Sequence, residues 1–385
     1  MPKTIDEINK KIKKGEAVVL TAEEVKEMAS SSGIKEVAKK VDVVTTATFG
    51  PMCSSGAFIN FGHTRPGIRM AKIWLNDVPA YAGLAAVDAY IGATELSETD
   101  PNYGGAHIIE DLIKGKDIRL KAIGTGTDCY PRKTVETYIN KDNINECFLF
   151  NPRNAYQNYN AATNSSKKTL YTYMGILLPN FGNVTYSTTG ELSPLLNDPG
   201  LRTIGIGTRI FLGGTQGYVA WNGTQFNTTT ARNRKGIPIG PSATLALIGN
   251  LKKMKPEYIK PAIFEHYGIS LFVGIGVPIP VLDQEIARAV SIRDRKIETL
   301  LCDYGAEGHP PIARVSYEEL KSGSIVINNR KIKTGPLSSI YVARRIAKVL
   351  KRWIVSGRFL LSEPVAPLPR RSRFKHLIIR KGGKR

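Results

Sequence analysis

Cysteine is scarce in this chain. There are four in 385 residues, Cys53, Cys129, Cys147 and Cys302, with no CxxC or CxxH pairing. That spacing argues against zinc fingers and iron–sulfur clusters, so no metal site is expected and each thiol is judged by its setting. Long apolar runs are missing too. The nearest, residues 268–282, is interrupted by Gly274, Gly276, Pro278 and Pro280 and falls short of the ~20 residues of a membrane helix. The N-terminus is polar and has no apolar h-region, so the expectation is a cytoplasmic protein, off the membrane, with free thiols. No Walker A is present, nor a GxGxxG with its following acid, and no cofactor is expected on motif grounds. Acidic residues are also short, 33 against 54 basic ones, for a net charge of +21.

Such an excess calls for an anionic partner or a basic tail. Much of it is local, running from Arg344 through Arg370, Arg371 and Arg373 to Arg380, Lys381, Lys384 and Arg385. A nucleic acid is one explanation. A solvated basic helix and tail is the favoured one, with the tail, residues 361–385, expected to be mobile unless it docks on a partner. At this length one large or two medium domains are expected, and residues 1–360 are read as one domain with room for two lobes.

The organising stretch is residues 118–133. Ile118, Leu120 and Ala122 alternate with Arg119 and Lys121, the period of a strand with one buried face. The strand runs into Gly124 and Gly126, which allow a tight turn and close backbone approach to a ligand. Cys129 follows, with Arg132 and Lys133 close by. Neighbouring cations lower a thiol's pKa, and the thiolate is what attacks. Cys129 is therefore a candidate nucleophile, set against the alternative of an inert buried thiol.

A second unit has the same build. Residues 41–49 are β-branched and read as a strand, which delivers the chain to Gly50-Pro-Met-Cys-Ser-Ser-Gly56. The small residues around Cys53 could form an anion-binding nest of backbone N–H groups. Beyond it, His63 and Arg65 in a Gly/Pro loop are candidates for acid/base work and carboxylate binding. His107 falls in the first turn of a helix after paired glycines, where the helix dipole favours the neutral imidazole. Residues 204–217 repeat the Ile-Gly-x-Gly-Thr of residues 123–127. Gly205, Gly207 and Arg209 join the candidate ligand-binding set there, and Val273-Gly-Ile-Gly-Val277 is a weaker third copy.

The remaining elements read as follows. Thr4 with Glu7 and Thr21 with Glu24 are capping boxes that open two helices. Residues 78–93 are small and apolar and read as a helix carrying Asp88. Residues 140–164, rich in Asn and Tyr, read as irregular, with Cys147 as core. Residues 282–301 predict a helix with Cys302 at its end. His309 and Glu307 lie in a Gly/Pro connection, residues 320–333 predict a hairpin turning at Asn328-Asn329, and residues 338–354 predict a basic amphipathic helix. The expected fold class is α/β, with mixed sheets, flanking helices and Gly-rich strand-end turns lining a cleft.

The stretches at Gly50–Gly56, Gly124–Pro131 and Gly205–Gly214 give the chain a likeness. It resembles the archaeal and bacterial homocysteine biosynthesis family, the L-aspartate semialdehyde sulfurtransferases, over roughly residues 4 to 360. The resemblance implies sulfur insertion into aspartate semialdehyde, with sulfide as the sulfur source and homocysteine formed after a two-electron reduction. It implies a cysteine persulfide, placed on Cys129 with Cys53 as its thiol partner. Many relatives add a pair of CBS domains and work with a small ferredoxin-type protein that supplies electrons. Here a short basic tail stands instead, which suggests a paralogue with a shifted substrate. In this scheme His63 or His107 moves protons, and Arg65, Arg132 or Arg209 holds the substrate carboxylate. Two other readings are a different sulfur transfer, for instance to a tRNA base, and a non-enzymatic binding protein.

Overall fold

The computed structural model describes residues 2–373 and 375–379. Its first helix, Ile5–Lys14, starts at a reciprocal cap. The Glu7 N–H donates to the Thr4 hydroxyl, and the Thr4 N–H donates to the Glu7 carboxylate. Gly15 closes the helix in the left-handed conformation at φ 74°, where a side chain would be strained. Ile5, Ile8 and Ile12 form its buried stripe. Thr21 and Glu24 cap the helix Ala22–Ser32 in the same way. Within that helix Lys26 is fully buried, and its ammonium donates to Ala22 O, Glu191 O and Asn197 Oδ1.

A ten-stranded mixed sheet is the largest layer. Its order is Val19–Thr21, Val43–Pro51, Gly268–Pro280, Arg209–Leu212, Thr215–Asn222, Leu245–Asn250, Cys147–Asn154, Gly56–Asn60 and Asp88–Gly92, with Ile259–Phe264 branching from Gly268–Pro280. The first pair is parallel and the others antiparallel. Val43–Pro51 is buried almost throughout, because the helix Ile340–Val355 lies across it and Gly268–Pro280. Its buried threonines find partners there: Thr45 Oγ1 donates to Ala347 O and Thr46 Oγ1 to Val277 O. The third Gly-x-Gly unit proves to be mid-strand rather than a turn. A Cβ on Gly274 would lie 2.9 Å from Ile346 Cδ1 and one on Gly276 3.1 Å from Ile346 Cγ2, so these glycines let the helix approach the sheet.

A six-stranded sheet (Pro311–Ser316, Glu298–Asp303, Ala161–Thr163, Asn183–Tyr186, Arg330–Pro336, Ser324–Ile327) carries a second apolar cluster around Val184, Leu301, Tyr317 and Ile325. A four-stranded antiparallel sheet, Val78–Ala80, Met70–Leu75, Ile118–Gly124 and Thr134–Ile139, presents the organising stretch. The architecture is α/β with mixed sheets and flanking helices, and no helix among the described residues is long and apolar enough to cross a membrane.

Four expectations are corrected. Residues 78–93 hold two short strands, Val78–Ala80 and Asp88–Gly92, not a helix, with Ala89 and Ile91 buried between half-exposed neighbours; cross-strand pairing to Met70–Leu75 and Gly56–Asn60 overrides alanine's helix propensity. The helix expected over 282–301 is Gln284–Val290, followed by the strand Glu298–Asp303, which carries buried Cys302. The stretch 140–164 holds a central strand, Cys147–Asn154, with Cys147 buried as expected. The C-terminal segment docks on its own chain. Ala366–Pro367 pairs with Gly205–Ile206, the Leu361 N–H donates to Asn9 Oδ1, and the Ser372 N–H donates to Thr228 Oγ1. The basic residues Arg380, Lys381, Lys384 and Arg385 lie outside the described residues.

Candidate functional site

Cys53 lies in the turn between Val43–Pro51 and Gly56–Asn60. The turn is pinned on both sides: the Met52 N–H donates to Leu271 O, the Ser55 hydroxyl to Met52 O, and Asn151 Nδ2 to the Ser55 hydroxyl. The half-buried thiol meets the hydroxyl of buried Ser270 at 3.3 Å. It opens on a cavity of about 300 Å³ where the large sheet meets the loops below the six-stranded one. Arg153, Tyr156, Tyr159, Tyr173 and Tyr267 are among the lining residues, and no carboxylate is. Arg153 lies near the end of Cys147–Asn154, the strand that also carries Asn151. It forms no ion pair among the described residues.

The phenols form a connected set. Tyr159 donates to the Tyr173 hydroxyl at 3.3 Å, and the Tyr173 and Tyr304 hydroxyls share a 2.7 Å hydrogen bond. His309 stacks on Tyr304 at 4.2 Å between ring centroids. Burial pushes the Tyr156 hydroxyl up to about 12 and those of Tyr159, Tyr267 and Tyr304 upward as well, with neighbouring phenols adding to the rise. These side chains stay neutral donors at neutral pH. An unpaired guanidinium, neutral hydroxyls and one thiol around a small cavity can bind a carboxylate and present an electrophilic carbon to sulfur.

The other candidates gather elsewhere. Cys129 is exposed in the loop after Ile118–Gly124. Tyr130 beside it stacks on His63 at 5.8 Å, and Arg132 donates from Nε to Pro66 O and from Nη2 to Arg65 O. The fold thus joins Cys129, His63, Arg65 and Arg132 in one exposed corner. Cys53 precedes the strand Gly56–Asn60 and His63 follows it, which separates the two thiol regions by roughly 15 Å of strand. Cys129 is not among the residues that line the Cys53 cavity.

His107 does the work of a helix cap. Its Nδ1 accepts from the Gly104 N–H at 3.2 Å and its ring stacks on Tyr103, while burial lowers its pKa against the pull of Asp111 and Glu110. Burial and the accepting Nδ1 both favour the neutral imidazole. Arg209 donates from Nη1 to Leu360 O, and its N–H donates to the Ser362 hydroxyl. The close approach at Gly205 is to the chain's own C-terminal segment: a Cβ there would meet Ala366 O at 2.5 Å. Gly207 faces Val365 of the same segment, Gly124 faces Arg69 O, and Gly126 lies against the Lys133 side chain. Among the described residues no group of three or more His, Cys, Asp or Glu side chains converges to hold a metal ion.

A family model described as "Homocysteine biosynthesis enzyme, sulfur-incorporation" matches residues 17–361. The chain belongs to that family. It is an enzyme of sulfur incorporation in homocysteine biosynthesis. Two relatives are named L-aspartate semialdehyde sulfurtransferase. One, from Methanosarcina acetivorans, is 51% identical over 378 residues, covering 97% of this chain and 74% of the relative. The other, from Methanocaldococcus jannaschii, is 52% identical over 386 residues, covering 96% and 74%. A third, an uncharacterized protein of Methanothermobacter thermautotrophicus, is 30% identical over 331 residues, covering 83% of this chain and 72% of the relative. No solved structure matches the chain.

Arg153 and the tyrosines were not singled out in the sequence. Their signal was the Asn/Tyr-rich run of residues 140–164, whose tyrosines cluster with Tyr173, Tyr267 and Tyr304 through folding alone.

Proposed function

We propose that this chain inserts sulfide-derived sulfur into L-aspartate semialdehyde through a cysteine persulfide, with the chemistry in the Cys53 cavity. The observation that carries this is a half-buried thiol and an unpaired guanidinium lining one small cavity. The names of two relatives at about half identity, L-aspartate semialdehyde sulfurtransferases, support the substrate. The sequence alone pointed to Cys129 as the sulfur carrier. The cavity favours Cys53 for that role and leaves Cys129 as the exchanging thiol. The free thiols suit a reducing cytoplasm.

Arg153 holds the substrate carboxylate as a forked pair. The terminal sulfur of the Cys53 persulfide attacks the aldehyde carbon, a C–S bond forms, and the carbonyl oxygen takes a proton from a phenol or water. The Cys129 thiolate, reaching Cys53 by loop movement or from a second copy of the chain, then attacks the Cys53 sulfur. The S–S bond to the adduct breaks, and a Cys53–Cys129 disulfide forms. Loss of water from the released adduct gives a thioaldehyde. Two electrons and two protons, supplied by a ferredoxin-type partner, reduce it to the thiol. Sulfide reopens the disulfide and restores the persulfide.

Intact mass and peptide mapping after brief anaerobic sulfide treatment of the disulfide form test this. The expected result is one added sulfur on the Cys53 peptide, discharged by aspartate semialdehyde. A Cys53→Ser variant that still turned over at the wild-type rate would sink the proposal. In the same assay Arg153→Gln should raise KM for the semialdehyde at least tenfold; an unchanged KM would remove the carboxylate from Arg153.

A further inference from the structure

Away from the thiols lies a larger concavity of about 590 Å³, where the helices Ala22–Ser32 and Gln284–Val290 meet the turns at Arg234-Lys235 and Asp294–Lys296. Six cations line it: Arg234, Lys235, Arg288, Arg293, Arg295 and Lys296. The single carboxylate among its lining residues, Glu285, is already held by Arg202 Nη1 at 2.8 Å. Arg293 is oriented from behind, its Nη2 donating to Glu27, to the Ser30 hydroxyl and to Lys26 O. The other five cations form no ion pair among the described residues.

Like charges repel, and side chains this long usually spread into water. Here they converge. Lys235 and Lys296 line the same concavity, and the Lys235 ammonium is held below its usual pKa by burial first and then by Lys296 and Arg295, although two ammoniums have only donors to offer. An arrangement that is unfavourable alone becomes favourable when an anion bridges it. Ile34, Ala289 and Ile292 supply an apolar part of the same lining, so a charged chain and a flat apolar group could be held together. The volume suits a small metabolite and is too confined for a duplex or a protein domain.

We propose that this concavity binds a polyphosphate-bearing small molecule of the nucleotide class, at a site separate from the sulfur-transfer cavity. The phosphate chain lies between Lys235, Lys296 and Arg288, with Arg293 as its pre-oriented fork.

The test is isothermal titration of the full chain at 0.15 M salt with inorganic triphosphate and, separately, with ATP. One saturable site is expected. The double variant Lys235→Ala/Lys296→Ala should weaken it at least tenfold, while its melting temperature and its sulfur loading at Cys53 stay as in the wild type. Equal binding of the two probes supports a free polyphosphate as the source, and tighter ATP binding supports a nucleotide. No saturable binding of either, or an affinity unchanged in the double variant, overturns the proposal. So does an RNA oligonucleotide that competes at this site and binds it more tightly than either probe.

Discussion

Lys26 places a full positive charge where water does not reach. Burial pushes its ammonium down to about 8, against the pull of Glu191 and Asp294, while three oxygens accept its protons. The unfolded chain keeps this lysine protonated up to its ordinary pKa, so between pH 8 and pH 10 the unfolded state binds more protons than the folded one. Stability from this group therefore rises with pH across that window and is flat below it. Relative to Lys26→Met, the wild type should gain roughly 2 kcal/mol between pH 8 and pH 10. Urea denaturation of both proteins at the two pH values measures it; a constant difference would mean that Lys26 stays charged in the fold. At this scale the sequence was partly legible. Cys147 in its apolar run and His107 in the first turn of a helix declare themselves from their neighbours. Arg153 does not, because its importance comes from tyrosines more than a hundred positions away (Tyr267 and Tyr304 among them) and from the absence of any acid beside it.

Glycines in the middle of an element carry a different message from glycines at its end. Gly274 sits inside Gly268–Pro280, where a Cβ would come within 3.1 Å of Tyr258 O as well as against Ile346. Gly274→Ala should destabilise the protein by about 1–3 kcal/mol through overpacking. Gly335→Ala, which meets nothing within 4 Å, should be near neutral. Denaturation midpoints with unchanged m-values would read both, and equal midpoints would show that the helix Ile340–Val355 yields freely. Elements with local signals were readable: the capping boxes at Thr4 and Thr21, the alternating strand at Ile118, the hairpin at Asn328-Asn329 and the basic amphipathic helix all form. Residues 78–93 were not. Their alanines favour a helix locally, and what makes them strands is pairing with chain that composition cannot reveal.

The whole molecule holds two thiol regions off opposite ends of Gly56–Asn60. A disulfide needs Cα atoms within about 7 Å, so mild oxidation of the reduced protein should link Cys53 to Cys129 between copies rather than within one. Non-reducing electrophoresis with peptide mapping decides this. A dimer-sized product is expected, and a rapid intrachain bridge would show instead that the Cys129 loop swings across the molecule. Family and fold class were legible at this scale because the cysteine and glycine motifs are contiguous. The division of labour between the two thiols was not, because both follow a strand and a glycine turn and look alike in one dimension.

The sheet order has a consequence for how the protein is made. Val43–Pro51 lies against Gly268–Pro280 along its whole length, and Asn9 is hydrogen-bonded to Leu361 in both directions. A ribosome adding 5–20 residues per second needs roughly 10–50 s to travel from the first of those strands to the second. Through that interval a run of unpaired backbone and buried-to-be valines waits in the nascent chain. The first element to leave the exit tunnel is thus among the last to be locked, and the cell must shelter it until synthesis is almost complete.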